Sequence, residues 1–406
     1  MSHVDDLVAQ LAPNGVPVLP LGEVGTFIRG SGLQKSDLIN DGFPAIHYGQ
    51  IHTRYGVWTD TTASFVTPSF ASRLRCANTG DLVIATTSED NEAVAKATAW
   101  LGNRQVAVSG DAYIYRHTLD PKYVAYFFQS RHFQTQKIRY ISGTKVRRIS
   151  GEALSRLQIP VPPLEVQREI VRILDTFTEL EAELEAELEA RLVQHAFYRD
   201  QLLKLRIAEG VRTAPLGDVA DFRYGYTASA KDEGGYRFIR ITDINQWGKL
   251  LPMGAKFVDA GDGAEDYLLK QGDLLMARTG ATYGKTLLFD STEKAVYASF
   301  LIRIRPDERV LLPAYYWHFA QSGIYWTQVN AMVSTGGQPQ FNANALRQVV
   351  IPVPSIEEQR RVVELLDPFD ALVNNLSIGL PAELNARKKQ YEYYRDKLLT
   401  FKEVAA

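Results

Sequence analysis

The chain has 406 residues, 45% of them hydrophobic and 23% charged, which excludes a single mini-domain, wholesale disorder and a fibrous repeat. Lys plus Arg number 45 against 47 Asp plus Glu, and the resulting formal charge of −2 argues, as a bare sum, against a nucleic-acid partner. No run of about 18 apolar residues occurs, and the start MSHVDDLVAQ lacks a basic or apolar leader region, so a cytoplasmic protein without membrane contact is expected. The lone cysteine, Cys76, excludes an internal disulfide and reads as a small buried hydrophobe.

In chain order the sequence repeats itself. Residues 1–15 carry DDLVAQL ahead of PLGEVG at Pro20, a phrase that returns near an offset of 195 as DQLLKL and PLGDVA at Pro215. Residues 16–163 hold the β-rich runs LVIATT (82–87) and AYIYR (112–116), and a helix is predicted to start at Pro121. IPVPPLEVQREIVRILDTF (159–177) then opens a Gly- and Pro-free stretch within 164–210. Its apolar Ile170, Ile173, Leu174, Phe177, Leu180, Leu184, Leu188 and Leu192 recur every three or four residues, so one helix of roughly 60 Å is predicted.

Residues 211–354 repeat the pattern with the β-rich runs RFIRI (237–241) and SFLIRIR (299–305), and with a helix from Pro313 that repeats the one at Pro121 at an offset of 192. IPVPSIEEQRRVVELLDPF (351–369) repeats the helix opening at that same offset, with Leu365, Leu366 and Phe369 at its seam. The second helix, within 355–406, carries four extra residues and is predicted to break near Gly379–Pro381 before continuing to about Phe401. The expected class is α+β: two pseudo-twofold-related α/β globular parts separated by a long two-helix antiparallel coiled coil. The N-terminal segment closes the circular repeat beside the last helix.

Catalytic signatures fail. TGATYGKT at Thr279 has three residues between Gly280 and Gly284 where a phosphate loop needs four, and GxSxG, HExxH and CxxC are absent. The seven histidines show no metal-ligand spacing, and no Asn-Pro-Pro-aromatic or Asp-Pro-Pro-aromatic motif for base methylation occurs, so the chain by itself reads as non-catalytic with no metal site. The charge, however, is unevenly spread: the two helical stretches carry −6 and the remainder +4. RHFQTQKIRYISGTKVRRIS (131–150) contains no acid and presents Lys137, Arg139, Lys145, Arg147 and Arg148 among aromatic and amide side chains, a composition suited to DNA or RNA, with a solvated basic helix face as the plain alternative. At the matching place in the second repeat, STGGQPQFNANAL substitutes Gln338, Gln340 and Asn342, as two copies of one scaffold reading different bases would. GDLLMARTGATYGK adds Arg278, Tyr283 and Lys285 on a Gly-bearing turn, and position adds Arg29 and Lys35 in the first repeat and Arg223 and Tyr224 in the second.

The duplicated IPVP blocks, each followed by a long helix ending in YRDQLL or YRDKLL, resemble the specificity subunit of type I restriction-modification enzymes. LGEVGTFIRGSGL, TTSEDNEAVAKATAWLG, FIRITDI and GDLLMARTGATYGK do so as well. The resemblance implies two target recognition domains, 16–163 and 211–354, each reading one half of a bipartite site in double-stranded DNA, with the helices 164–210 and 355–406 as spacer. It further implies two modification subunits that methylate adenine and restriction subunits that cleave DNA. S-adenosylmethionine, ATP and Mg would then bind those partners, leaving no cofactor in this chain. A stand-alone pseudodimeric DNA-binding protein, a single-chain restriction or modification enzyme and a coiled-coil spacer binding protein at its ends are the rival readings.

Overall fold

A computed structural model describes residues 3–208, 210–251, 253–259, 261, 263–334, 336–375 and 378–403, apart from the side chains of 205–208. The chain folds into two compact units, Met1–Glu183 with Asn385–Ala406, and Leu184–Leu384. Each unit thus combines one globular part with stretches of long helix, whereas the sequence pattern sets the helices apart. The reason is that the helix openings are core elements. Val166, Ile170 and Leu174 are buried with Tyr123, Phe127 and Phe133 in the first unit, and Val362 and Leu366 with Leu203, Tyr315 and Phe319 in the second.

In the first unit a five-stranded sheet runs in the order Gly25–Arg29, Ala112–His117, Leu82–Ala85, Lys96–Trp100, Trp58–Thr59. A four-stranded sheet, Ser64–Val66, Phe43–Ile46, Val106–Val108 and Cys76–Ala77, completes the fold. Cys76 is half-buried in its edge strand rather than fully enclosed. The helix Pro121–Gln129 starts on Asp120, whose carboxylate accepts from Lys122 N and Tyr123 N. It buries six consecutive residues, Tyr123 to Phe128. Val4 of the N-terminal helix His3–Leu11 shares this core with Tyr391 and Leu399 of the C-terminal region, and Val16 bridges Glu403.

The second unit repeats the plan with fewer strands among the described residues. Its sheets order Ala220–Tyr224, Leu301–Pro306, Leu274–Ala277, Thr286–Leu288, and Phe257–Val258, Tyr236–Ile239, Ala295–Tyr297. Both units close their entry and exit chains with an antiparallel ribbon, Val18 opposite Pro160 and Thr213 opposite Pro352.

One unbroken helix spans Leu164–Ala208, and two further helices span Ile356–Asn374 and Leu380–Leu398. Gly379, at φ +82°, stands just before the last helix, where a Cβ would lie 2.4 Å from the Leu372 carbonyl oxygen. Helix pairing is antiparallel within each unit. Phe177 stacks on Tyr394 while Glu181 pairs with Lys388 in the first; in the second, His195 packs on Phe369 while Leu203 shares a core with Leu366 and Val362. Two seam positions need correction. Leu365 is 63% exposed, because burial follows Val362, Leu366 and Val373, and Leu180 is 46% exposed beyond the reach of the core that buries Ile170 and Leu174. Leu184, Leu188 and Leu192 are partly covered, as are Phe177 and Phe369. Among the described residues no helix is long and apolar enough to cross a membrane.

Candidate nucleic-acid interface

In the first unit, Arg147–Arg148 pairs antiparallel with Thr87–Ser88, placing Arg148 opposite Thr87. The Ser142 and Arg148 backbones exchange hydrogen bonds at 2.9 Å each, closing a hairpin with exposed Lys145 near its tip. Gly143 adopts φ +89° in that turn and its carbonyl accepts from Arg147 Nη1. The second unit reproduces the frame at the same offset of 192: Gln340 bridges both Thr279 and Ser334, and Phe341 N donates to Arg278 O as Ile149 N donates to Thr86 O. One backbone scaffold thus presents Lys145, Arg147 and Arg148 in one unit and Gly337, Pro339 and Gln340 in the other.

Around the second hairpin the structure gathers several expected residues. The Tyr224 hydroxyl accepts from Ala343 N at 3.1 Å, and the Arg278 guanidinium lies 5.4 Å from the Tyr224 ring and 5.5 Å from Phe300. Gln338 is exposed beside Gly280, while Asn342 caps the helix Ala343–Arg347 through Ala345 N. Tyr283 is half-buried with its hydroxyl on Asn330 Oδ1, and Lys285 is half-buried. Arg223, one residue before Tyr224, is turned to the scaffold: it donates to Asp266 O at 2.8 Å and lies over Tyr267.

In the first unit Arg29, Lys35 and Arg139 are exposed but stand outside the hairpin; Arg29 Nε donates to Gly110 O. Lys137 requires correction as a DNA contact. It is 1% exposed, and its ammonium donates at 2.7 Å to the carbonyls of both Glu92 and Val94. Burial pushes it down to about 8, against the opposing pull of Asp90 and Glu92. The basic run is visible in the sequence, but not that its helix Arg131–Lys137 turns Phe133 and Lys137 inward together.

Sequence reasoning also missed Thr87 and Thr279, which contribute backbone pairing, and Phe300, 51% exposed beside Arg278. The acidic segment Ser88–Glu92, which continues from the strand opposite Arg147 and Arg148, lies within the phrase TTSEDNEAVAKATAWLG but was given no site role. A usable signal existed, because nine residues separate Ala85 from Ala95 where six separate Ala277 from Gly284. The two units therefore differ in loop length as well as chemistry at this place.

A duplicated scaffold whose hairpins keep their register and change their side chains defines a two-domain sequence-recognition protein. Residues 13–192 and 208–386 each match the type I restriction modification DNA specificity domain, and the chain belongs to that family. It is 32% identical over 319 residues to a putative type I restriction enzyme specificity subunit of Haemophilus influenzae, spanning 74% of this chain and 76% of that protein. It is 34% identical over 304 residues to a type I restriction enzyme specificity subunit of Escherichia coli, spanning 69% and 70%. The fold is shared with an S subunit from M. genitalium, with a TM-score of 0.55 at 12% identity over 95% of this chain and 96% of that one. A structure of a type I restriction-modification assembly gives 0.56 at 19% identity over 95% and 97%. The resemblance carried by the repeated helices is thereby established, and the chain is a two-domain DNA sequence-recognition subunit.

Proposed function

We propose that this chain is the non-catalytic specificity subunit of a type I restriction-modification enzyme. Each hairpin reads one half of a bipartite site in double-stranded DNA, and the helices hold two modification subunits and restriction subunits. The observation that carries the reading is the position shared by Arg148 and Gln340, opposite Thr87 and Thr279: the backbone is constant and the hydrogen-bonding chemistry is not. Arg suits the paired acceptors of guanine and Gln the acceptor and donor of adenine. S-adenosylmethionine, ATP and Mg would be bound by the partner subunits.

Subunit docking is supported by apolar side chains left open on the helices. Val193 is 67% and Phe197 58% exposed in the second unit, and Tyr393, the repeat equivalent of Phe197, is 62% exposed in the first. The exposed glutamates along Glu179–Ala190 would repel a phosphate backbone, so that face is turned to solvent or protein.

Co-expression with candidate modification subunits tests the proposal. A stable complex that methylates adenines at a split site is expected, with Phe197→Glu and Tyr393→Glu each weakening subunit capture by about tenfold or more. Methylation or cleavage by the isolated chain, or tight specific binding that needs no partner, would contradict it.

A further inference from the structure

Each unit supports the loop next to its recognition hairpin from a repeat-equivalent helix, Arg131–Lys137 in the first and Gly323–Met332 in the second, with different chemistry. The loop after Thr87 bends back into its sheet at Ala95, whose N–H donates to Ala85 O and whose φ is +64°. In the second unit Gly284 does the same, donating to Ala277 O at φ +79°. A non-glycine residue held in the left-handed region needs surroundings that fix it.

The fixing group is a buried donor in both cases. In the second unit the Tyr325 hydroxyl donates to the Gly284 carbonyl at 3.0 Å, and Val329, one turn later, lines the bend so closely that a Cβ on Gly284 would sit 3.1 Å from its methyl. At the same offset of 192 the first unit has Phe133 in place of Tyr325 and Lys137 in place of Val329. Phe133 has no hydroxyl, and the Lys137 ammonium supplies the missing donation one turn further along, to Glu92 O and Val94 O. The donor has moved by four residues on one helix face, so hydroxyl plus valine became phenyl plus ammonium. All four side chains are buried.

We infer that Lys137 and Tyr325 are positioning residues for base recognition: each holds the loop that leaves the segment paired with its own recognition hairpin, and each governs discrimination at one half-site only. This rests on the two-half-site reading proposed above. Lys137 acts through the backbone of Glu92 and Val94, and so sets where the strand Thr87–Ser88 carries Arg147 and Arg148. Tyr325 acts through Gly284 on the turn that carries Arg278 and Thr279. Without Lys137 the Glu92 and Val94 carbonyls lose the donor that ties them to the helix, and without the Tyr325 hydroxyl the Gly284 carbonyl keeps only Thr286 Oγ1 at 3.2 Å, two residues along its own strand, so in each case the loop loses its hydrogen bond to the helix.

The test uses the assembled complex and duplexes in which one half-site at a time is altered by single bases. Lys137→Met is expected to reduce discrimination between correct and altered first half-sites by about tenfold, leaving discrimination at the second unchanged. Tyr325→Phe is expected to do the reverse. A pH series separates positioning from plain packing. The Lys137 ammonium is faced by Asp90 and Glu92 from the loop and by Phe133 on its own helix. First-site discrimination should therefore fall as pH rises through about 8 in the wild type and be flat in Lys137→Met. Equal loss at both half-sites, or weaker binding with unchanged base preference, would overturn the inference. A wild-type complex showing no split-site preference would overturn the function itself and the inference with it.

Discussion

Arg148 and Gln340 occupy the same backbone position, each opposite a threonine, so the chemistry at that point is carried by one side chain on a constant frame. Lys145, Arg147 and Arg148 lie within one short hairpin, yet they differ in freedom. Lys145 and Arg148 are exposed, while Arg147 is half-buried and tied to the Gly143 carbonyl. If Arg148 reads a base, Arg148→Gln shifts preference at one position by about 1–3 kcal/mol, whereas Lys145→Ala weakens all sequences alike and lowers the salt slope by about one. Competition binding at several salt concentrations distinguishes them, and uniform loss from both would recast Arg148 as a phosphate contact. The basic run is legible in the sequence but its partition is not, because alternation of side chains and the inward turn of Lys137 are decided by packing against Phe133 and the Glu92–Val94 backbone.

The elements are more legible than the side chains. The long apolar stripe specifies the helix Leu164–Ala208, and the pair Gly379 and Pro381 marks the junction, although Gly379 leads into Leu380–Leu398 rather than capping the preceding helix, whose C-cap is Asn375. The helix Ile356–Asn374 runs on through Pro368, in keeping with a single interruption expected near Gly379. Leu365 is misplaced by the sequence pattern because LL pairs in a helix leave one leucine outside any single face, and only the neighbouring core decides which. Where the helices meet in the second unit, His195 is 3% exposed against Phe369, and burial together with nearby Arg199 pushes it down to about 4. The unfolded chain binds a proton near 6.5 that the folded chain refuses until about 4, so the unit loses stability as pH falls through this window, by up to about 3 kcal/mol. Urea unfolding at pH 7 and pH 4.5 should show this loss in the wild type and a smaller one in His195→Phe. An identical loss in both would remove His195 from the account.

At the scale of the whole molecule, 406 residues and a charge of −2 conceal one unit used twice, with acidic helices offsetting basic globular parts. The repeat is legible because a fixed offset cannot arise from local propensity. The grouping of helix stretches with globular parts is not, since it depends on which helix turns are buried. Deleting Glu183 to Ala186 removes about 6 Å of helix and rotates the downstream turns by about 40°. The unread spacer between half-sites is expected to shorten by one or two base pairs, and an unchanged spacer would end the view of this helix as a ruler. The most direct measurement is a genome-wide map of methylated adenines in strains carrying the complex with either the wild-type chain or one whose 142–148 hairpin is replaced by residues 334–340. The account predicts a two-part site in which that exchange alters one half and leaves the other half and the spacer intact. A single continuous site, or a change in both halves at once, would contradict it.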